Sequence, residues 1–237
     1  MSNIMSKNSV DLLISELKNK DVLSQFTKEE LYILDKEVKE IRYEKGQEII
    51  HEGYKPTGIY GILSGTGKIY RRGFNGKEQI LRFVKKGEIV GYRSLLGGET
   101  FSASCTVIED ITAVYIPEII FHRLLEVSSK VSFDVLKKIS QHLGEAGRTI
   151  TLLAQKTVRE RLAEILLFLE KKLDVDHEGF IKITLTREEM ANLIGTATES
   201  AIRLISEFKN DELIEVEGRR IKILNHQKLS RLGHVMS

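Results

Sequence analysis

The distribution of glycine constrains this fold more than any other feature of the sequence. Twelve of the 18 glycines lie between Gly46 and Gly98, and short runs rich in β-branched and aromatic residues stand between them. The runs between these glycines are EIIHEG, GIYGILSG, GKIYRRG, EQILRFV and EIVGYRS. Two further runs of the same kind, TVIED and TAVYIP, follow Gly98. Seven or eight short strands at turn-punctuated spacing predict a small barrel or jelly roll. The pair Asn75-Gly76 adds a strong hairpin signal.

Helical patterns flank this glycine-rich zone on both sides. Residues 9–40 carry apolar residues at helical spacing, and Thr27 with Glu30 fits a capping box. The chain is predicted to be helical again from about Glu118, with VRERLAEILLFL as a later amphipathic helix and IKITLT as a strand. The fold class is therefore α+β, with helices on both sides of an N-terminal β-roll.

One helix in the second half carries a narrow apolar seam. Its apolar residues step by three and four positions, as in a coiled coil: Leu136, Ile139, Leu143, Ala146, Ile150 and Leu153. Gly144 and Gly147 lie in mid-helix, where each costs about 0.8–1 kcal/mol relative to Ala. A close helix–helix or helix–barrel approach explains that cost. The seam predicts a dimer, and packing on the helix's own domain is the alternative.

Two short helices, 187–194 and 197–209, are predicted to meet at LIGT. Thr186 caps the first with Glu189 three residues on, and Gly195 supplies the tight turn. Across the turn, an apolar set is expected to pack together, namely Met190, Ala191, Ile194, Ala201, Ile202 and Ile205. The hairpin LIEVEGRRIKIL follows as a wing. This order predicts a winged helix-turn-helix, whose second helix enters the major groove of DNA.

The second of these helices carries chemistry suited to DNA. A helix N-terminus binds phosphate, and Thr196 and Ser200 add hydroxyl donors there. Arg203 can bind guanine O6 and N7, and Glu199, one turn earlier, can accept from cytosine N4. The two side chains can therefore share one G·C pair. A plain surface salt bridge between them is the alternative.

Composition narrows the other possibilities. The net charge of +2 is mild, and residues from 151 on hold 14 basic and 14 acidic residues, so a DNA-binding patch has to arise by arrangement. Cys105 is the single cysteine, which excludes an intramolecular disulfide and a four-thiolate iron–sulfur site. The start MSNIMSKNSV lacks the apolar segment of a signal peptide, and no membrane-spanning stretch occurs. The expected location is the cytoplasm.

The chain resembles the CRP/FNR transcription regulators over nearly its whole length. RYEKGQEIIHEG and GIYGILSGTGKIYRR look like the family's opening strands, and NGKEQILRFVKKGEIVGYRSLLGGETFSASCTVIEDITAVYIP looks like its central cassette. LTREEMANLIGTATESAIRLISEFKNDELIEVEGRRIKIL looks like its winged helix-turn-helix. The resemblance implies a β-roll sensor domain over 1–130, a dimerisation helix over 131–154 and a DNA-binding domain over 155–237. It also implies a homodimer on an inverted-repeat operator.

The resemblance assigns roles in the DNA-binding domain. Glu199 and Arg203 fall on the family's base-reading acid and base, and Thr198 stands where the cyclic-AMP receptor has a further reading Arg. The last difference leaves recognition of an outer guanine open. The candidate phosphate contacts are Thr186, Arg187, Thr196, Ser200, Arg219 and Arg220.

The sensor differs from the cyclic-AMP branch in its ligand contacts. Where that branch has a ribose-binding Glu, a phosphate-binding Arg and an adenine-binding Thr-Ser pair, this chain has Tyr92, Phe101 and Ala146-Gly147, and only Ser102 is kept. Arg82 or Arg93 can replace the missing charge, or both face solvent. The candidate effector pocket comprises Arg82, Gly87, Glu88, Gly91, Tyr92, Arg93, Ser94, Phe101 and Ser102. Cyclic AMP is therefore disfavoured, and no cofactor is expected.

Other functions remain as alternatives. A cupin-like enzyme needs a His-rich inner face, but the roll holds only His51. The other histidines show no spacing typical of ligands to haem or another metal; they are residues 122, 142, 177, 226 and 234. A protein-interaction module has no need of Glu199, Arg203 and the wing. The loop Asp174–Phe180 resembles the region that contacts RNA polymerase in activators, and an ordinary exposed acidic loop is equally consistent with it. An unknown small-molecule effector is a possible further partner.

Overall fold

The computed structural model describes residues 8–235 of the 237-residue chain. They form two compact units. The first comprises residues up to 72 and residues 81–144, and the second comprises residues 73–80 and residues from 145 on. The division between residues 144 and 145 falls inside a single long helix, α6.

The first unit is a β-roll with helices before, within and after it. Its elements in chain order are α1 (Ser9–Glu16), α2 (Lys20–Leu23), α3 (Lys28–Glu37), β1 (Lys39–Tyr43), β2 (Glu48–Ile50), β3 (Gly58–Arg72), β4 (Glu78–Lys85), β5 (Ile89–Val90), α4 (Tyr92–Leu96), β6 (Ser104–Pro117), α5 (Glu118–Val127) and the start of α6 (Ser129–Gln155). The tip of the β3–β4 hairpin belongs to the second unit. The capping box predicted at Thr27 is present at the start of α3.

Two long strands organise the β-roll. β3 and β6 pair antiparallel from Gly58 opposite Pro117 to Tyr70 opposite Ser104. β1 and β2 pair with β6, while β4 and β5 pair with β3. The described residues thus form six strands in this sheet, not seven or eight. Two pairs of predicted runs are each one continuous strand, which leaves five of the seven runs, and β1 is a sixth strand that was not among those runs.

Gly65 lies where the sequence predicted a break between two strands, but β3 bends there and continues. Its φ is 84°, and the register of β3 against β6 shifts between Ser64 and Thr66. A Cβ at this position would lie 2.1 Å from the carbonyl oxygen of Asp110. Glycine therefore lets the strand bend while its partner strand stays close, and pairing continues on both sides.

The predicted strand EIVGYRS is wrong in its second half. Only Ile89–Val90 is a strand, and α4 begins at Tyr92. Gly91 has a φ of 94° and precedes the helix. This left-handed residue ends the strand and redirects the chain. At the other end of the roll, residues 39 and 40 belong to β1, so the N-terminal helical zone stops earlier than predicted.

Two apolar clusters fill the first unit. One joins α1, α5 and α6 to the roll, with Val10, Leu13, Phe121, Val131 and Val135 among its buried members. The other lies inside the roll and contains Cys105, which is fully buried. Burial raises the pKa of the Cys105 thiol to about 12. The thiol therefore stays protonated at neutral pH and is a poor nucleophile.

The predicted seam of α6 is exposed along most of its length. Leu143 is 74% exposed, and Leu136, Ile139, Ala146 and Ile150 are also exposed, whereas Leu153 is half-buried. Phe133, which the sequence pattern missed, extends the stripe by one turn and is exposed too. A Cβ on Gly147 would have no described atom within 4 Å. The space beside this mid-helix glycine is therefore open.

The second unit continues from α6 into a winged helix-turn-helix. Its elements are α7 (Val158–Leu173), α8 (Arg187–Ile194), α9 (Thr198–Asn210), β7 (Ile214–Glu217), β8 (Arg220–Ile223) and α10 (His226–Leu232). The predicted wing hairpin is confirmed, with Ile214 opposite Ile223 and Gly218 at the turn with φ 58°. The predicted strand over residues 181–186 is wrong. Its contacts are one bridge from Val175 to Ile181 and single backbone hydrogen bonds, such as Ile181 N to Ile221 O at 2.9 Å.

A helix that crosses a lipid bilayer needs about 20 predominantly apolar residues. No helix in the described part of the chain is both long enough and apolar enough to cross a membrane.

Candidate DNA-binding site

The turn between α8 and α9 is set by local sequence. The Thr186 hydroxyl accepts a hydrogen bond from Glu189 N at 3.0 Å, and the Glu189 carboxylate accepts one from Thr186 N at 2.9 Å. Gly195 ends α8 with a φ of 67°, and Thr196 N then donates to Ala191 O at 3.0 Å. The helices lie within one residue of their predicted bounds, because the cap and the left-handed glycine both act locally.

The apolar faces of the two helices are buried, with one exception to the predicted set. Met190, Ala191 and Ile194 on α8 are buried, as are Ala201 and Ile205 on α9. Ile202 was expected to join them, but it is 45% exposed. On a helix, adjacent residues point about 100° apart, and here Ala201 occupies the core-facing position. The prediction for Ile202 is therefore wrong, and its side chain lies on the outer surface of α9.

Of the three candidate base-reading residues, two lie on that outer surface. Glu199 and Arg203 are both exposed, while Thr198 is half-buried. Within the described residues, neither Glu199 nor Arg203 forms an ion pair or a side-chain hydrogen bond. The alternative of a plain Glu199–Arg203 salt bridge is therefore not what this conformation shows. Both charged groups are available for an external partner.

The N-terminus of α9 is open. Its N-cap is Ala197, whose side chain makes no capping hydrogen bond. The first backbone N–H groups of the helix thus lack a side-chain acceptor at the cap, and they carry the positive end of the helix dipole. Thr196 and Ser200 lie on either side of this point, and both are half-buried. An anion such as a phosphate fits here.

A second concentration of positive charge lies where the wing meets α8. Arg187 donates from Nη2 to Gly218 O at 2.8 Å, which holds it against the wing turn. Burial and the nearby charge of Arg219 both lower the pKa of Arg187 below its usual value. No described carboxylate forms an ion pair with either arginine. The two cations therefore lie together without internal neutralisation.

Arg220 behaves differently from its neighbour. It donates to Asp176 Oδ2 at 2.9 Å and to Glu217 Oε2 at 2.7 Å, and it also contacts Glu178. Its guanidinium lies 4.1 Å from the centre of the Phe180 ring. Hydrogen bonds to Glu178 and Asp176 raise the pKa of Arg220. A phosphate contact by Arg220 would have to compete with three carboxylates. The sequence pattern did not indicate that Arg220 binds the carboxylates of the loop Asp174–Phe180.

Thr186 is likewise engaged within the protein. Besides accepting from Glu189 N, its hydroxyl donates to the Glu189 carboxylate at 3.0 Å. A phosphate at Thr186 would therefore need to replace an existing hydrogen bond. Of the six candidate phosphate contacts, Arg187, Arg219, Thr196 and Ser200 are the four whose surroundings favour an anion most directly.

Three side chains of the candidate effector pocket are buried. Tyr92 is 3% exposed, and Ser94 and Phe101 are buried as well. The Tyr92 hydroxyl lies 2.6 Å from Nδ1 of His142 on α6. The two residues are 50 positions apart, so no local pattern could have indicated this contact. Gly91 closes against the Phe101 ring, where an added Cβ would lie 3.4 Å from the ring.

The two arginines considered as substitutes for a phosphate ligand already have acidic partners. Arg82 forms an ion pair with Glu88 at 3.2 Å. Arg93 is more exposed and lies 3.5 Å from Glu99, while it also contacts the Ser102 hydroxyl. Gly87 has a φ of 88° and donates from its backbone N–H to Ile62 O at 2.8 Å. Some of the predicted pocket residues thus contact one another, as Arg82 does Glu88 and Arg93 does Ser102. The positive charges of both arginines are paired with carboxylates of the protein.

Comparisons with known proteins agree with this architecture. Residues 40–128 match the model of the cyclic nucleotide-binding domain, and residues 160–232 match that of the Crp-like helix-turn-helix domain. The Fumarate and nitrate reduction regulatory protein of Vibrio cholerae is 31% identical over 196 residues, which cover 81% of this chain and 77% of that protein. The CRP-like cAMP-activated global transcriptional regulator of Mycobacterium tuberculosis is 25% identical over 200 residues, covering 84% and 89%.

A solved structure shows the same fold. FixK2 from Bradyrhizobium japonicum superposes with a TM-score of 0.74 and 22% identity, covering 84% of this chain and 99% of that one. The similar proteins are transcription regulators and not enzymes, which removes the cupin-like alternative. With a cyclic nucleotide-binding domain followed by a Crp-like helix-turn-helix, the chain belongs to the CRP/FNR family of transcription regulators.

Proposed function

We propose that the protein regulates transcription by binding an inverted-repeat operator as a homodimer, in the cytoplasm where the DNA lies. The observation that carries the proposal is the exposed pair Glu199 and Arg203 on α9, which has no internal partner among the described residues. An open helix N-terminus and two unneutralised arginines, Arg187 and Arg219, accompany it. This set combines base-reading groups with phosphate-binding groups, as sequence-specific recognition requires.

The homodimer is supported by the exposed seam of α6. The stripe from Phe133 to Ile150 leaves large aliphatic and aromatic side chains in water. A second copy of the helix would cover them, and Gly147 would allow a close approach. A two-fold dimer presents two α9 helices to DNA, so the operator should be an inverted repeat.

The operator prediction can be tested with the full-length protein. Selection from random DNA duplexes should enrich an inverted repeat whose half-sites lie about 34 Å apart, one turn of the double helix. Each half-site should contain a G·C pair, by family similarity within a GA step. Enrichment of single, unrepeated sites would contradict the dimer, and recovery of no sequence at all would contradict specific recognition.

We further propose that cyclic AMP is not the effector. Tyr92, Phe101 and Ala146-Gly147 replace three of the four contacts, and Arg82 and Arg93 are engaged with carboxylates. A lost charge-assisted hydrogen bond forfeits about 1.5–3 kcal/mol and a lost neutral one about 0.5–1.5 kcal/mol. Together they amount to at least roughly a thousandfold in affinity. A small-molecule effector, if the protein uses one, therefore differs from cyclic AMP in chemistry.

Titration calorimetry checks this prediction. Cyclic AMP and cyclic GMP should give no saturable heat with this protein, while the Mycobacterium tuberculosis cAMP-activated relative serves as the positive control. A micromolar dissociation constant that also tightens DNA binding would overturn the prediction. In that event Arg93→Ala would show whether Arg93 leaves Glu99 to bind the phosphate.

The loop Asp174–Phe180 is a candidate contact for RNA polymerase if the protein is an activator. Arg220 holds Asp176 and Glu178 in place, and burial of Phe180 anchors the end of the loop. A loop with fixed carboxylates offers a defined acidic surface to a partner. The Pseudomonas protegens relative named Transcriptional activator protein Anr, 28% identical over 213 residues, supports activation as one mode within the family.

A further inference from the structure

Ile202 is exposed at a place where the protein itself gives no reason for an aliphatic side chain. All residues of α9 are described, and its buried side chains are Ala201, Leu204, Ile205 and Phe208. Ile202 points away from them and is the one large aliphatic residue of this helix that stays exposed. Its backbone carbonyl accepts from the Ser206 hydroxyl at 3.0 Å, a contact that any residue type would allow. The apolar side chain therefore faces whatever binds α9.

The neighbours of Ile202 are the residues to which the proposed function assigns the major groove. Ile202 follows Glu199 by three residues and Thr198 by four, so it stands one helical turn from both. Arg203 is its direct neighbour, and no described group pairs with that arginine. The surface around Ile202 thus presents base-reading groups, and the partner surface must offer an apolar group among polar base edges.

We propose that Ile202 reads a thymine by packing against its C5-methyl group. This inference rests on the proposed function and extends it to a second base pair of each half-site. The thymine methyl is the apolar group that base edges present in the major groove, whereas the other bases present donors and acceptors there. An isoleucine opposite any of those groups would remove water from them without replacing a hydrogen bond.

The helix geometry gives the position of this thymine. One turn of α-helix rises 5.4 Å, and successive base pairs rise about 3.4 Å. Since Ile202 lies about one turn from Glu199, the thymine is expected one or two base pairs from the G·C pair that Glu199 and Arg203 read. Burial of one methyl group changes the dissociation constant by about fourfold. Two half-sites should give about fifteenfold.

Deoxyuridine provides the test, because it pairs like thymidine but lacks the methyl group. The operator selected by the wild-type protein is resynthesised with dU in place of dT, at one symmetric pair of positions at a time. Dissociation constants are measured by fluorescence anisotropy at one fixed salt concentration. Substitution of the thymine opposite Ile202 should weaken wild-type binding about fifteenfold, and more distant thymines should have no effect.

Variants of the protein assign the effect to Ile202. With Ile202→Ser, the dT and dU operators should bind equally, while Ile202→Val, which keeps two methyl groups, should retain most of the difference. Leu224→Ser is the matched control, since Leu224 is 49% exposed in the same unit but lies outside α9. That variant should keep the full dU effect. Circular dichroism confirms that each variant is folded.

The outcomes separate this inference from the proposed function. If the wild-type protein selects an operator but no dU position near the G·C pair weakens binding, the role of Ile202 is wrong and the proposed function stands. If Ile202→Ser retains the dU effect, another residue contacts the methyl and the inference is overturned. If no sequence is selected, the proposed function and the thymine contact are both rejected.

Discussion

Leu143→Glu is expected to convert the protein into a monomer. Leu143 is the most exposed large apolar residue of the seam, and in a paired α6 it would lie close to its own copy. Each buried, unpaired charge costs about 3–5 kcal/mol, and a dimer would contain two of them. The dimer dissociation constant should therefore rise by about four to seven orders of magnitude. Sedimentation equilibrium measures this shift directly.

DNA binding should fall with the loss of the dimer, because a monomer contacts one half-site only. Gln141→Glu is the matched control. It adds the same charge two residues away, at an exposed position about 160° around the helix from the seam. This variant should remain dimeric and bind the operator as the wild type does. An unchanged dimer for Leu143→Glu would show that the seam is not the interface.

The elements that the sequence predicted well are those specified by local chemistry. The capping boxes at Thr27 and Thr186, the hairpin at Asn75-Gly76 and the left-handed Gly195 all act over a few residues. Each satisfies backbone groups at a defined chain position, so a single sequence suffices to locate it. The bounds of α8 and α9 follow from such signals.

The wrong predictions about the fold come from sequence signals that are compatible with more than one structure. A glycine in a β-rich segment can end a strand, as Gly91 does before α4, or bend it, as Gly65 does within β3. The difference depends on what lies opposite: the backbone of Asp110 lies against Gly65 and keeps the ladder continuous. Contacts across the sheet are not visible in local sequence, so the strand count was too high.

In the candidate site, too, tertiary contacts decided what the local sequence pattern could not. Apolar spacing alone placed Ile202 in the core, because Ala201, Ile202 and Ile205 form an apolar group in sequence. The folded helix turns Ala201 and Ile205 inward, which leaves Ile202 on the surface with Glu199. Likewise, Arg219 and Arg220 look equivalent in the wing sequence, yet the acidic loop and Glu217 form ion pairs with Arg220 only. Such differences depend on tertiary contacts that no local pattern encodes.

The second large effect is expected for Arg203→Ala. A good bidentate contact to guanine contributes about 1–3 kcal/mol of discrimination, and two half-sites double that value. Affinity for the selected operator should therefore fall by about thirtyfold to twenty-thousandfold. The preference for the G·C pair should relax as well, since Glu199 alone accepts from cytosine and cannot satisfy guanine.

Arg187→Ala is the contrasting variant, because Arg187 lies by the wing turn and is assigned to phosphate. It should weaken binding to all sequences by a similar factor and reduce the salt dependence of binding, while the selected motif stays the same. Repeating the selection with both variants distinguishes the roles. A motif from Arg203→Ala that keeps its G·C pair as sharply as the wild-type motif would show that Arg203 does not read the base. If Arg187→Ala altered the selected motif, the result would show that Arg187, beside the wing turn, takes part in base recognition.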